Sequence, residues 1–123
     1  MSVDLFIEGV PYGQSKVKGD VNAPARWTQT VKQATINLPK VEGPCFMIVV
    51  FVLPENKYPS DLPYGPDLDN LMKRLFDALN HTILSKVPGK DSSIIQLIVS
   101  KRKALPDEST GARIILNEIQ DCS

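Results

Sequence analysis

The sequence predicts an α+β fold in which two helices pack on one mixed β-sheet, with the elements in the order βαβαββ. Residues 45–53 form a short, continuous apolar run rich in β-branched residues, which is typical of a buried strand. Residues 68–84 place their apolar side chains at helical spacing. A chain of 123 residues suits one domain with its own core, so we expect residues 1–123 to form a single domain.

The first half of the chain is expected to supply a strand and a helix. Residues 3–8 read as a short strand, which glycine and proline break immediately afterwards. A polar loop follows. Residues 24–37 are predicted to be helical, because a proline opens the segment and Trp27 and Val31 recur at helical spacing. We expect Trp27 to be a core or dimer contact rather than a platform on which bases stack.

The second half is expected to supply the rest of the sheet and the longer helix. Residues 45–53 are predicted to be a strand buried on both faces. The proline-rich loop at 54–66 is long for so small a domain, and long loops are often functional. A helix is predicted over 68–84, followed by strands at 93–100 and 112–119.

The predicted helix at 68–84 is amphipathic. Its apolar face gathers Leu68, Leu71, Met72, Leu75, Phe76, Leu79 and Ile83, and its polar face gathers Asp69, Asn70, Lys73, Arg74, Asp77 and His81. The single histidine therefore reads as a surface residue rather than a general base.

Composition and charge narrow the class of protein. The formal net charge is zero, which is unlike a protein that coats nucleic acid, although local basic patches can still bind it. Cys45 and Cys122 read as free thiols in a reducing cytoplasm, with a bridge between them as the alternative. The longest apolar run is too short to span a bilayer and the N-terminus lacks signal-peptide features, so we expect a cytoplasmic protein without membrane contact.

Two carboxylates stand at the start of the amphipathic helix. Asp67 and Asp69 suit a helix N-terminus through capping and the helix dipole, and on spacing alone capping is the favoured interpretation. The alternative is a magnesium site, since Mg²⁺ takes one or two carboxylates plus waters and phosphates. Asn70 can orient a ligand there, and Lys73, one turn beyond Asp69, can neutralise charge on a phosphate under attack. Asp91 by itself reads as an ordinary turn residue.

Residues 67–79, Asp-Leu-Asp-Asn-Leu-Met-Lys-Arg-Leu-Phe-Asp-Ala-Leu, resemble the RusA family of Holliday-junction resolvases. That family carries an Asp-x-Asp-Asn-x-x-Lys run, then Phe, Asp, Ala and Leu, and a further Asp before a later strand. Asp91, followed by the apolar start of a strand, matches that last position. The likeness is strong over residues 66–95, weaker over 96–119 and faint before 54.

The resemblance implies a catalytic set made of Asp67, Asp69, Lys73 and Asp91, in which the three acids bind metal and Lys73 is the catalytic lysine. It also implies Mg²⁺ as the cofactor, with Mn²⁺ as a possible substitute. The expected protein is a homodimer that makes paired nicks in branched DNA during recombination and repair, in a bacterial or prophage setting. A two-fold dimer suits a junction with two-fold symmetry.

Several basic residues are candidates for contacts with the DNA backbone. They are Lys16, Lys18, Arg26, Arg74, Lys101, Arg102 and Lys103. For the last three, a solvated strand end is the alternative. Tyr58 and Tyr64, in the loop before the acids, are expected either to touch DNA or to pack the loop.

Three features depart from the family pattern: Lys90 stands where the family often has a second acid, the loop at 56–66 carries little positive charge, and the net charge is zero. They bear on how tightly a junction is bound, rather than on the catalytic set. A non-catalytic DNA- or protein-binding member of the same fold is therefore the alternative function. A nucleotide-sugar transferase using Asp-x-Asp is disfavoured by the short chain. Shared ligation of one ion predicts carboxylates within about 5 Å of each other. The sequence leaves open whether Asp91 serves its own chain or a partner.

Overall fold

The chain folds in the predicted order, βαβαββ. The computed structural model describes residues 2–13, 22–55, 67–87 and 89–119. The elements are β1 (Ser2–Glu8), α1 (Ala23–Thr35), β2 (Cys45–Leu53), α2 (Leu68–Leu79), a 3₁₀ turn (Lys90–Ser93), β3 (Ile94–Lys103) and β4 (Gly111–Glu118). The predicted α+β class with one mixed sheet and two helices is confirmed.

The four strands lie in the order β1-β4-β2-β3. β2 and β3 are parallel, while β4 runs antiparallel to both β1 and β2. Three strands, β1, β2 and β3, therefore point the same way. We call the side of the sheet where these three end the carboxyl edge, and the opposite side the amino edge. Since α2 connects β2 to β3, it starts at the carboxyl edge and ends at the amino edge.

The core lies between one face of the sheet and the two helices. Met47, Val49 and Phe51 of β2 are fully buried on that face, together with Trp27 of α1 and Leu75 of α2. Trp27 is thus a core residue, as one of the two sequence interpretations held.

The other face of β2 differs from the prediction. Phe46, Ile48 and Val50 are only half-buried, so the expectation that β2 is buried on both faces was wrong for most of its outer face. Both helices pack on the same face of the sheet as the core residues of β2. Within the described residues, no helix covers the opposite face.

Both helices end earlier than the sequence predicts. After Leu79 the backbone forms hydrogen bonds that span three residues instead of four. For example, the Thr82 amide donates to the Leu79 carbonyl at 3.0 Å. The ends of the helices are joined by a buried hydrogen bond of 2.8 Å between the hydroxyls of Thr35 and Thr82. This turn carries Ile83 into the core although it lies outside α2.

Other predictions have mixed outcomes. Cys45 is a buried free thiol, and burial raises its pKa. Lys16, Lys18, Tyr58, Tyr64 and Cys122 lie outside the described residues. In the part of the chain that the structure describes, neither helix has the length and apolar character needed to cross a membrane.

Candidate metal centre

Asp67 occupies the N-cap position of α2. Its backbone is extended (φ −66°, ψ 145°), and its carbonyl accepts the Leu71 amide at 3.0 Å. The Asp67 carboxylate makes no capping hydrogen bond, and the whole residue is exposed. The capping interpretation therefore holds for the position of Asp67 and not for its carboxylate.

Asp69 and Lys73 are exposed one turn apart on α2. Among the described residues, neither these two side chains nor that of Asp67 has a hydrogen-bonding or ion-pair partner. The helix start thus presents two carboxylates to solvent, with an ammonium group one turn further on. Carboxylate oxygens of this kind are the ligands that Mg²⁺ takes in proteins.

Asp91 lies at the other end of α2. Its Oδ2 accepts a hydrogen bond of 3.3 Å from Nδ2 of Asn80, the residue that closes the helix. At about 1.5 Å per residue, α2 separates Asn80 from Asp69 by roughly 16 Å along its axis. Within one chain the three acids do not converge, and in the described ranges no group of three or more His, Cys, Asp or Glu side chains can hold a metal ion.

Asn80 fixes the position of Asp91. Its Nδ2 faces the carboxylate, and its buried Oδ1 has no hydrogen-bond partner among the residues that the structure describes. The reversed amide would set Oδ1 against a carboxylate oxygen, so the observed orientation is the favourable one. Sequence reasoning missed Asn80; the available signal was a polar residue at the end of the helix, on the flank that carries Asp69 and 11 residues before the motif acid.

Arg74 links α2 to the loop after β1 and to the start of α1. Its Nε donates to the Gly13 carbonyl at 2.7 Å, and its Nη1 donates to Thr28 Oγ1 at 3.1 Å and to the Pro24 carbonyl at 3.4 Å. Gly13 packs so closely on the first turn of α2 that a Cβ there would lie 3.0 Å from Asn70 Cβ. Arg74 therefore has a structural role, while its predicted contact with DNA stays a prediction.

Two basic residues at the end of β3, Arg102 and Lys103, form ion pairs with nearby acids. Arg102 makes a two-pronged contact with Glu108, at 2.6 and 2.5 Å. This hydrogen bonding, together with the Leu105 amide, lowers the pKa of Glu108 to about 2. Lys103 Nζ lies 4.0 Å from Glu55 Oε1. Arg102 thus stabilises the turn between β3 and β4.

The topology explains which predicted site residues come together. The starts of α1 and α2 and the end of β3 all lie at the carboxyl edge, which places Arg26, the acid pair of α2 and the basic residues 101–103 on one side of the molecule. Ligands of open α/β sheets characteristically bind where strands end in this way. Asp91 is the exception, because it precedes β3 and so lies at the amino edge.

An α+β domain that exposes a carboxylate pair beside a lysine at a strand-ending edge fits a protein that binds a hard cation and a phosphate. The sequence matches the model of the family described as endodeoxyribonuclease RusA over residues 18–116, which is most of the chain. This chain belongs to that family, so the resemblance found in the motif is confirmed. Membership implies a nuclease of the Holliday-junction resolvase type. No curated protein matches the sequence.

Proposed function

We propose that this protein is a divalent-metal-dependent endonuclease that nicks branched DNA, Holliday junctions in particular, in recombination and repair. The observation that carries the proposal is the Asp67–Asp69 pair, whose carboxylates face solvent at the start of α2 instead of capping the helix. Mg²⁺ is the proposed ion and Mn²⁺ its substitute. We place the reaction in the reducing cytoplasm, in agreement with the free thiol of Cys45.

Asp67, Asp69 and Lys73 have separate roles in the proposed reaction. Asp67 and Asp69 would hold the ion through their carboxylate oxygens. When bound, such an ion supplies an activated water and polarises a phosphoryl oxygen. Lys73 lies on the same face of the helix, where its ammonium group stabilises the negative charge that develops on the phosphate during attack.

We assign Asp91 to the metal site of a partner subunit. Its hydrogen-bond partner Asn80 lies at the amino edge, roughly 16 Å along α2 from Asp69, and this separation supports an assignment in which the two carboxylates of one chain serve different ions. A two-fold dimer solves this, because each chain gives the start of its α2 to one site and its Asp91 to the other. Two equivalent sites then face two equivalent strands of a junction.

The first test is cleavage of a synthetic four-way junction, with linear duplex as the comparison and Mg²⁺ or Mn²⁺ in the buffer. We expect junction-specific nicks. The Asp69→Asn variant should bind the junction almost normally and cut nothing, because it loses a metal ligand rather than a phosphate contact. Asp77→Asn, an exposed acid on the same helix, is the matched control and should cut normally. Absence of nicks with both ions would refute the proposal.

The second test asks which chain supplies Asp91. Asp69→Asn and Asp91→Asn are each expected to be inactive. Mixed and allowed to exchange subunits, they form heterodimers that contain one intact site only if Asp91 acts across the dimer. Random exchange of equal amounts would restore about a quarter of all sites, since half of the dimers are mixed and each has one working site. No recovery despite proven exchange would place Asp91 in its own chain's site.

The alternative is a protein that binds branched DNA without cutting it. What favours it is the balanced charge of the chain and the use of Arg74 and Arg102 in intramolecular contacts. Junction binding without cleavage under any divalent ion would support this alternative.

A further inference from the structure

We propose that the free edge of β3 is the dimer interface. In this arrangement β3 pairs antiparallel with β3 of a second copy across a two-fold axis, and the two four-stranded sheets join into one. The inference deepens the proposed function, since it rests in part on the shared metal site, but the edge itself supplies independent support.

β3 has the features of a strand that is covered by a partner. It is the outermost strand on its side of the sheet, so within the described ranges one row of its backbone groups has no neighbouring strand. Ile95, Leu97 and Ile98 are 64%, 39% and 51% exposed. Residues 94–100 contain no charge and no proline, the usual devices that prevent edge strands from pairing. On its paired side, the register between β3 and β2 is regular from Phe46 onwards, after one shift between Cys45 and Phe46 at the start of the strand.

The opposite edge is protected in the expected way. β1 carries the charged residues Asp4 and Glu8, and Asp4 forms an ion pair of 3.1 Å with Arg113 on the neighbouring strand. Two copies pairing through β1 would bring like charges together. The contrast between the two edges singles out β3.

The position of the acids also selects β3. Pairing of two outer sheet faces would leave the helix layers on opposite sides of a double sheet, far apart. Pairing through β1 would separate the two α2 helices by almost the whole width of both sheets. Pairing through β3 instead sets the two α2 helices side by side, since α2 lies over the β2–β3 half of the sheet. With strands about 4.8 Å apart, a helix above the midpoint of β2 and β3 lies roughly 10 Å from its symmetry mate, the spacing at which helices pack.

The flanks of α2 agree with this geometry. At about 100° per residue, Asp69, Phe76 and Asn80 share one flank of the helix, while Asn70 and Arg74 share the other. The second flank faces α1, because Arg74 bonds to Pro24 and Thr28. The first flank therefore faces the β3 edge.

An antiparallel α2 from a second copy consequently meets the flank that carries Asp69. Its own end, where Asn80 holds Asp91, lies beside the start of the first helix. The arrangement supplies each acid pair with Asp91 of the partner subunit.

The contact has a suitable size for a dimer. β3 is ten residues long, about 33 Å, and a sheet with one helix layer is roughly 20 Å thick. The resulting strip covers about 700 Å² on each copy, close to the roughly 800 Å² per partner of a standard stable interface.

The direct test is the oligomeric state, measured by sedimentation over a concentration series without DNA. We expect a dimer for the natural sequence and at least a tenfold weaker dimer for Leu97→Lys and for Ile98→Lys, because each change occurs twice in the interface. Phe6→Lys is the matched control. It adds the same charge on the outer face of the other edge strand, where Phe6 is 44% exposed, and it should leave the dimer intact. Circular dichroism checks that all three variants fold.

Disulfide cross-linking is a second measurement, and it detects the proposed contact between the two β3 strands without adding charge. Gln96→Cys, Ile98→Cys and Ser100→Cys, each in a Cys122→Ser background with Cys45 buried, scan one face of β3. Under mild oxidation at least one of them should form a covalent dimer, and Phe6→Cys should not, because only β3 meets its own copy.

The outcomes separate this inference from the proposed function. A monomer at all concentrations, normal dimers for both lysine variants in β3, or a dimer broken by Phe6→Lys would overturn the β3 interface whatever the nuclease activity. A β3-linked dimer that never cuts a junction would leave the interface standing and refute the proposed function alone.

Discussion

Arg74 offers a sharp test of whether a basic residue beside the acids serves the fold or the DNA. Its guanidinium donates to the Gly13 and Pro24 carbonyls and to the Thr28 hydroxyl in a partly buried setting. Hydrogen bonds from a charged group contribute about 1.5–3 kcal/mol each when fully formed, and partial access of water lowers the sum. We expect Arg74→Ala to lower the free energy of unfolding by about 2–3 kcal/mol, which corresponds to a melting temperature roughly 8–12 °C lower.

Urea denaturation and thermal melts measure this effect in the absence of DNA. The control is Arg113→Ala, which removes a two-pronged contact with Asp4 in which both side chains are 55% exposed. Exposed pairs contribute little, so this change should cost less than about 1 kcal/mol. If Arg74→Ala melts like the natural protein but reduces the salt dependence of junction binding by about one phosphate contact, the structural role is refuted and the DNA contact supported.

Three other outcomes are expected. Asp67→Asn should abolish cleavage yet change the free energy of unfolding by less than about 0.5 kcal/mol in thermal melts, because the Asp67 carboxylate makes no capping hydrogen bond and Asn is as good an N-cap residue as Asp; a larger loss would show that the carboxylate charge itself stabilises the start of the helix. Asn80→Ala should raise the Mg²⁺ concentration needed for cleavage by about 10–100-fold, since Asp91 loses its positioning bond; an unchanged Mg²⁺ titration would remove that role. Glu108 has its pKa lowered from 4.5 to about 2 by Arg102, so its contribution to stability is present above pH 4.5 and disappears as the pH falls toward 2. Glu108→Gln should therefore melt lower than the natural protein at pH 7 and equally at pH 2; a difference that persists at pH 2 would contradict the ion-pair explanation.

The fold was predictable because most of its helices and strands have clear patterns of apolar residues in the local sequence. The bounds predicted for the strand at 45–53 match those of β2, because a short, continuous run of apolar and β-branched residues is typical of a buried strand. The end of α2 was placed too late. Ile83 continues the helical spacing but reaches the core through a turn, and the tertiary hydrogen bond between Thr35 and Thr82 that accompanies this turn has no signal in the local sequence.

The candidate site was predictable only in part. Asp67 is the N-cap residue of α2, and Asp69 and Lys73 lie in its first two turns, so the proximity of the three follows from the local sequence. The contact between Asn80 and Asp91 depends on how the turn after α2 folds, and the bonds from Arg74 depend on how two separate elements pack. Pairs of that kind cannot be read from residue types and spacing, and this is why a basic residue assigned to DNA has an internal structural role.

The separation of the acids has a consequence for how activity responds to concentration. The two ends of α2 necessarily lie at opposite edges of the sheet, because the helix connects two parallel strands and must return from the end of one to the start of the next. An acid before β3 and an acid pair after β2 are thus kept apart by the topology itself, and in the dimer that we propose a second copy in antiparallel orientation brings them together. If Asp91 of the partner subunit ligates the ion, only the dimer is active, and the rate of cleavage depends on the dimerisation equilibrium. Cleavage per chain should then fall with dilution at the same protein concentration at which sedimentation shows the dimer dissociating, and Ile98→Lys should shift both transitions together. A variant that is monomeric and still cuts at the normal rate would show that Asp67 and Asp69 suffice.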